Sequence, residues 1–178
     1  MHRDDSPGRP AGAVLFSERV GSLVVMLRGP RFITRACEIL DSYRRRLGHD
    51  LFERSGDAAE DARRLFDLPL AVLAHDTAPQ PLLDWANLAA ARAFDATPES
   101  LLGRPSAGTT PADAVADRRA LFDVLARQGF VTGYSGVRIS LTGRRFVIDD
   151  VTVLEVTDAT GQPAGHAAAI GSTRAADA

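Results

Sequence analysis

At Gly129 the hydrophobic period of the chain changes from that of a helix to that of a strand. Before it, Leu121, Val124 and Leu125 recur at helical spacing up to Gln128. After it, Val137, Ile139 and Leu141 alternate with Arg138 and Ser140, and Phe146 and Ile148 continue the alternation past the turn "LTGR". A second turn, "DATGQ" at 158–162, precedes a last strand expected near Ala164–Ile170. Three antiparallel strands in a meander follow from this spacing. The helix before Gly129 is expected to start at Thr110 and Pro111, a capping hydroxyl followed by a proline, with Asp113 three residues after the threonine.

Two short apolar segments lie earlier, "LAVLAHD" from Leu70 and "PLLDWAN" ending at Asn87, divided by the turn-rich "TAPQP". They form a strand pair. Asn87 stands where the second strand meets an alanine-rich helical pattern carrying Leu88, Ala91 and Phe94. Its side-chain oxygen can accept from a backbone N–H of the first helical turn, worth ~1 kcal/mol over alanine. Thr97 and Pro98 start another short helical turn, which Gly103 and Pro105 end. Two strands at the start and three at the end assemble into one five-stranded antiparallel sheet. The helices between them cover one face, an α+β architecture with room for a cavity between sheet and helices.

Ahead of this unit, residues 31–47 place Phe32, Ala36, Ile39, Leu40, Tyr43 and Leu47 at helical spacing, with Gly48 as C-terminal cap. Arg44, Arg45 and Arg46 belong to its solvated side. A second helix starts at Asp57, which has capping-box spacing to Glu60, and stops before Pro69. The pair is a packing extension or a dimerisation element. The chain therefore divides into a poorly ordered N-terminus (1–28), a helical extension (29–69), the main domain (70–171) and a disordered tail (172–178).

Net charge is −2 and no basic face shows, which argues against a nucleic-acid surface. All 21 cationic residues are arginine, so lysine chemistry is excluded. The single cysteine, Cys37, permits no internal disulfide and fits a reducing, cytoplasmic setting. No apolar stretch is long enough to span a membrane. "AGAVLFSERVGSLVVML" looks partly like a signal peptide, but Glu18 and Arg19 interrupt it and Asp4 and Asp5 precede it. Met26 is an alternative start.

The stretches "LAHDTAPQPLLDWAN" (73–87), "LLGRPS" (101–106), "RQGFVTGYSGVRISLTGRRF" (127–146) and "DATGQPAGHAA" (158–168) together resemble the MEKHLA family of PAS-like domains. The helix "ILDSYRRRLG" (39–48) is similar to that of its stand-alone bacterial members. This chain departs from the family pattern at Ala74, Gln80, Pro81 and Trp85, in "AGTTPAD", and at Leu154, where tryptophan is usual nearby. The resemblance implies a PAS-like sensory, ligand-binding or interaction module that signals through protein contacts, with no catalytic activity.

PAS relatives use several cofactors. A light-oxygen-voltage flavin sensor needs a cysteine soon after the first helices, and Cys37 lies well before the core. A haem sensor ligates iron from the long helix, and 111–128 holds no histidine. His2, His49, His75 and His166 show no metal-ligand spacing. His75–Asp76 is expected to be structural, with Asp76 bonding the following turn. The pocket candidates are Trp85, Phe94, Leu121, Leu125, Tyr134, Arg138, Phe146 and His166. Trp85 is expected to pack on the sheet before it stacks on a ligand. Arg138 is opposite in phase to Val137 and Ile139; it faces an anionic ligand if that side is concave, and is otherwise an exposed strand arginine. The ligand, if one exists, is unidentified by the sequence. Three readings follow: a ligand sensor, a ligand-free module that homodimerises or meets a separate partner, and a small cone-type α+β enzyme using Asp149, Asp150 and His166.

Overall fold

The computed structural model describes residues 29–176, so the expectation for residues 1–28 lies outside it. The first helix, α1 (Pro30–Leu47), begins with proline at its first position, where the missing N–H leaves no bond unmade. It ends at Gly48, whose left-handed φ of 80° lets its N–H reach the Arg44 carbonyl. In α2 (Ala58–Asp67) the Asp57 side chain accepts from the Glu60 N–H at 2.8 Å. The expected capping box is only half made. Glu60 turns its carboxylate to Arg63 and Arg64, and the Asp57 N–H donates to Ser55 Oγ instead.

The strands are β1 (Ala71–His75), β2 (Leu83–Ala86), β3 (Phe130–Ile139), β4 (Arg145–Thr157) and β5 (Pro163–Ala175). They form one five-stranded sheet in the order β2-β1-β5-β4-β3, every neighbour antiparallel. The first strand thus pairs with the last, with Leu73 opposite Ala168 and His75 opposite His166. β5 runs to Ala175, beyond the tail expected from residue 172. β4 is equally long, and its ladder pairs Ile148 with Thr173 and Phe146 with Ala175.

Between β2 and β3 lie α3 (Leu88–Ala93), α4 (Pro98–Leu101), two 3-10 turns (Ser106–Thr109 and Ala112–Ala114) and α5 (Val115–Gln128). Thr97 and Ser100 make a complete capping box for α4. Thr110 does not cap α5: Pro111 stays extended (ψ 156°), so the chain turns through 112–114 first and the helix starts at Val115. Asp113 pairs instead with Arg145, through two bonds of 3.0 and 2.8 Å. Gly129, with φ 78°, closes α5 where the period changes.

Both faces of the sheet are covered. The intervening helices pack on one, around Phe94, Leu101, Leu121, Leu125, Phe146 and Val151. On the other, α1 and α2 bring Ile39, Leu40, Leu65 and Phe66 against Val72, Trp85, Leu154 and Val156. The extension is therefore a layer of the fold, and the apolar side of α1 is spent on the sheet. Each fully buried large side chain there contributes roughly 1.5–3 kcal/mol. Asn87, wholly buried, locks these layers together. Its Oδ1 accepts from Ala90 N–H (2.9 Å) and from Val72 N–H (3.0 Å). Its amide donates to the carbonyls of Leu65, Leu68 and Leu70 at 3.2, 3.3 and 2.7 Å. Asparagine is the residue that can be helix cap, strand partner and donor to the end of α2 at once.

Candidate functional site

A cavity of about 60 Å³ lies between the sheet and the arm made of α5 and the turn at 106–109. Three sequence devices build it. Arg118, Leu121 and Phe122 are spaced to share one face of α5, and that face looks onto the sheet. Asp150, left-handed at φ 49°, changes which parity of β4 points inward: Phe146 and Ile148 before it, Val151 and Val153 after. At the β1–β2 bulge, Ala74 opposes Trp85 but His75 opposes Leu83. The extra residue, Asp84, sends Leu83 into the cavity and Trp85 to the other face.

Most of the lining is aliphatic, but four cationic or titratable side chains enter it: His75, Arg118, Arg138 and His166. Arg138 is only 6% exposed. It donates from Nη1 to the Val137 carbonyl (2.8 Å) and from Nη2 to the Tyr134 hydroxyl (3.4 Å), and lies over the Tyr134 ring. Arg118 donates to Ser106 Oγ at 3.1 Å and lies over Phe122. Burial first, and the neighbouring Arg138 charge second, bring the Arg118 pKa down to about 10, so it stays protonated at neutral pH. Neither guanidinium meets a carboxylate among the described residues, and none lines the cavity.

The two imidazoles stand side by side, centroids 5.1 Å apart, with Phe122 edge-on to His166. His75 Nδ1 lies 2.8 Å from the Asp76 carbonyl and must carry the proton to bond it, which leaves Nε2 as a bare acceptor. That Nε2 and His166 Nδ1 are buried without partners among the described residues. Burial is the main reason both pKa values fall; for His166, at about 4, the His75, Arg118 and Arg35 charges add to it. Both rings are neutral at pH 7.

The cavity is wired to the far side of the sheet through His75. Its backbone carbonyl accepts from Arg35 Nη2 of α1 at 3.0 Å. Arg35 also holds Glu38 and sits 3.0 Å from the Asp84 carboxylate, an ion pair whose angle gives Nε no true hydrogen bond. Burial raises the Asp84 pKa against the opposing pull of Arg35. α1 further grips β4 through Arg46–Glu155 and through Ser42 Oγ, which accepts from Thr157 N–H at 3.0 Å.

Of the residues singled out from sequence, Phe94, Leu121, Arg138 and His166 line the cavity. Leu125 and Phe146 lie in the adjoining core, Phe146 edge-on to Phe94 at 5.1 Å. Tyr134 braces Arg138. Trp85 packs on the sheet, as expected, but not in the cavity, which corrects its place among the pocket candidates: it is 1% exposed and stacks on Phe32 of α1, on the opposite face. Asp149 and Asp150, offered for a cone-type enzyme, are exposed and outside the cavity. His75, Arg118, Ser106 and Thr109 were not anticipated as lining residues; the spacing of Arg118 to Leu121 and Phe122 was the available signal. Asp76 does bond its turn, accepting from Ala78 and Leu82 N–H.

The MEKHLA domain family matches residues 33–174, so the match takes in nearly all of α1 and all of α2. No curated protein matches significantly in sequence. Among solved structures, a PAS domain from Colwellia psychrerythraea superposes with a TM-score of 0.55 at 14% identity, covering 66% of this chain and 94% of that one. A light-oxygen-voltage domain studied with a flavin analogue gives 0.51 at 12% identity, over 61% of this chain and 81% of that one. An RNA-binding light-oxygen-voltage receptor gives 0.55 at 21% identity, over 68% of this chain and 36% of that one. These likenesses establish a PAS fold. The residues here do not fit a flavin. The 60 Å³ cavity holds roughly four or five water-sized spheres, and no cysteine lines it.

Proposed function

The chain belongs to the MEKHLA domain family, and from that premise we propose that it is a PAS-like sensory module whose cavity takes a small ligand and whose sheet passes the event to α1. One observation carries this reading: His75 presents its ring to the cavity and its carbonyl to Arg35 of α1. A ligand that moves the ring moves the strand end that α1 holds. Binding then biases two arrangements of α1 against the sheet, by as much as its affinity differs between them. A separate protein reads α1 or the sheet edge. Among the described residues the Ser106 and Thr109 hydroxyls in the cavity bond Arg118 and the Ser106 carbonyl, and neither bonds an imidazole, which supports action by binding over turnover.

Native mass spectrometry of the full chain, purified gently from cells, tests the reading. A stoichiometric co-purifying small molecule, lost on denaturation, is the expected result. Hydrogen exchange with and without that molecule should then differ in α1 as well as around the cavity. A ligand-free protein, monomeric or dimeric, would leave the interaction-only reading.

A further inference from the structure

Resting on the ligand-sensor reading, we propose that the ligand is a small carboxylate of about four to six non-hydrogen atoms, its carboxylate held by Arg118 and Arg138 and its short tail on the aliphatic wall. Two guanidinium groups enter one pocket that no carboxylate lines among the described residues. An uncompensated buried charge is costly, and two together more so. A bound anion removes that cost.

The donors are available. A guanidinium has five N–H groups. Among the described residues, Arg138 commits bonds to Val137 and Tyr134 only, and Arg118 to Ser106 only. Tyr134 and Phe122, under the two guanidinium planes, hold them in place without neutralising them. Planar forks of this kind match the two oxygens of a carboxylate. The apolar part of the wall decides between carboxylate and inorganic oxyanion. Leu73, Leu83, Phe94, Ile148, Val151 and Ile170 face the same space and offer nothing to a phosphate oxygen. They suit a short carbon chain. The bare His75 Nε2 accepts from a hydroxyl, if the tail carries one.

The test uses the full chain, stripped of bound molecules by unfolding and refolding, with circular dichroism to verify the fold. Titration calorimetry compares sodium propionate and lactate with propionamide, the uncharged isostere, and with inorganic phosphate. The carboxylates should bind at least about tenfold tighter than the amide or phosphate. Arg118→Gln and Arg138→Gln should each weaken carboxylate binding by about tenfold or more. Arg118, less deeply buried on α5 than Arg138, serves if Arg138→Gln fails to fold. Equal binding of propionamide, tighter binding of phosphate, or indifference of the carboxylates to both substitutions overturns the proposal. If no carboxylate binds while native mass spectrometry finds another co-purifying molecule, the carboxylate assignment falls and the sensor reading stands. If neither is found, both fall.

Discussion

Arg35 Nη2 donates to the His75 carbonyl at 3.0 Å, joining the helix on one face of the sheet to the strand end that opens the cavity on the other. The same guanidinium is paired with Glu38 and Asp84. Arg35→Met keeps the apolar stem and removes the charge. It should cost about 1–3 kcal/mol, chiefly because it strands the buried His75 carbonyl; the partly exposed Asp84 adds little. Urea unfolding measures that loss. Hydrogen exchange should show faster opening in the first turns of α1 and at β1, with the cavity side of α5 unchanged. Uniform protection in the variant would mean that α1 does not depend on the link.

Asn87 makes a sharper case because it both accepts and donates. Asn87→Ala removes five bonds from a site with no access to water and should destabilise by at least about 3 kcal/mol. Asn87→Asp retains the two acceptor bonds but sets a carboxylate against the carbonyls of Leu65, Leu68 and Leu70. Relative to the parent at the same pH, it should be at least as destabilising at pH 7 and recover in part at pH 5, because burial among carbonyls raises the acid's pKa and the protonated form can donate again. Denaturant midpoints of the two variants at both pH values separate a lost cap from a lost donor.

Much of the frame was legible in the sequence because it rests on local chemistry. Gly48 and Gly129 end helices where the periodic pattern ends, and Asn87 marks the junction of β2 and α3. The sidedness of the site was not. Alternation placed Arg138 opposite Val137, but which side was concave depended on the pairing of β3 with β4, shifted twice between Val131 and Gly136. Trp85 and Leu83 should share a face by strict alternation, and one bulge separates them. His75 and His166 meet only because the first strand pairs with the last. Arg118 shares helical spacing with Leu121 and Phe122, but spacing alone does not tell that this side of α5 faces a cavity.

The paired imidazoles set a pH window for stability. Both rings have depressed pKa values in the folded chain, burial being the leading cause, with His166 at about 4. An unfolded histidine titrates near about 6.5. The unfolded chain therefore gains protons that the folded chain refuses as pH falls through about 6.5, and stability declines until about pH 4. Above that window the histidines contribute no pH dependence. Asp61 behaves oppositely: burial would raise it, but the Arg54 and Ser55 hydrogen bonds outweigh burial and hold it at about 2. Its stabilisation is lost only as pH drops below the usual carboxylate range. Urea midpoints should fall between pH 7.5 and pH 5, and His166→Gln should flatten that slope. An unchanged slope in the variant would place the imidazole in contact with solvent.

Gly165 fixes how closely β5 can approach β1. Its φ is 113°, and a Cβ built there would lie 1.8 Å from the His75 carbonyl oxygen. Contact that short is with backbone, which no rotamer change relieves. Gly165→Ala must therefore push apart the strands that pair His75 with His166, and it disturbs the carbonyl that Arg35 holds. Gly161→Ala is the matched control: it too has a positive φ, 84°, but open space around its Cβ position. The control should lose about 1 kcal/mol from backbone strain alone. Gly165→Ala should lose several times as much, read as thermal midpoint and soluble yield. Similar losses in the two variants would show that β1 and β5 can separate at that point without cost, and the route from cavity to α1 would then need another path.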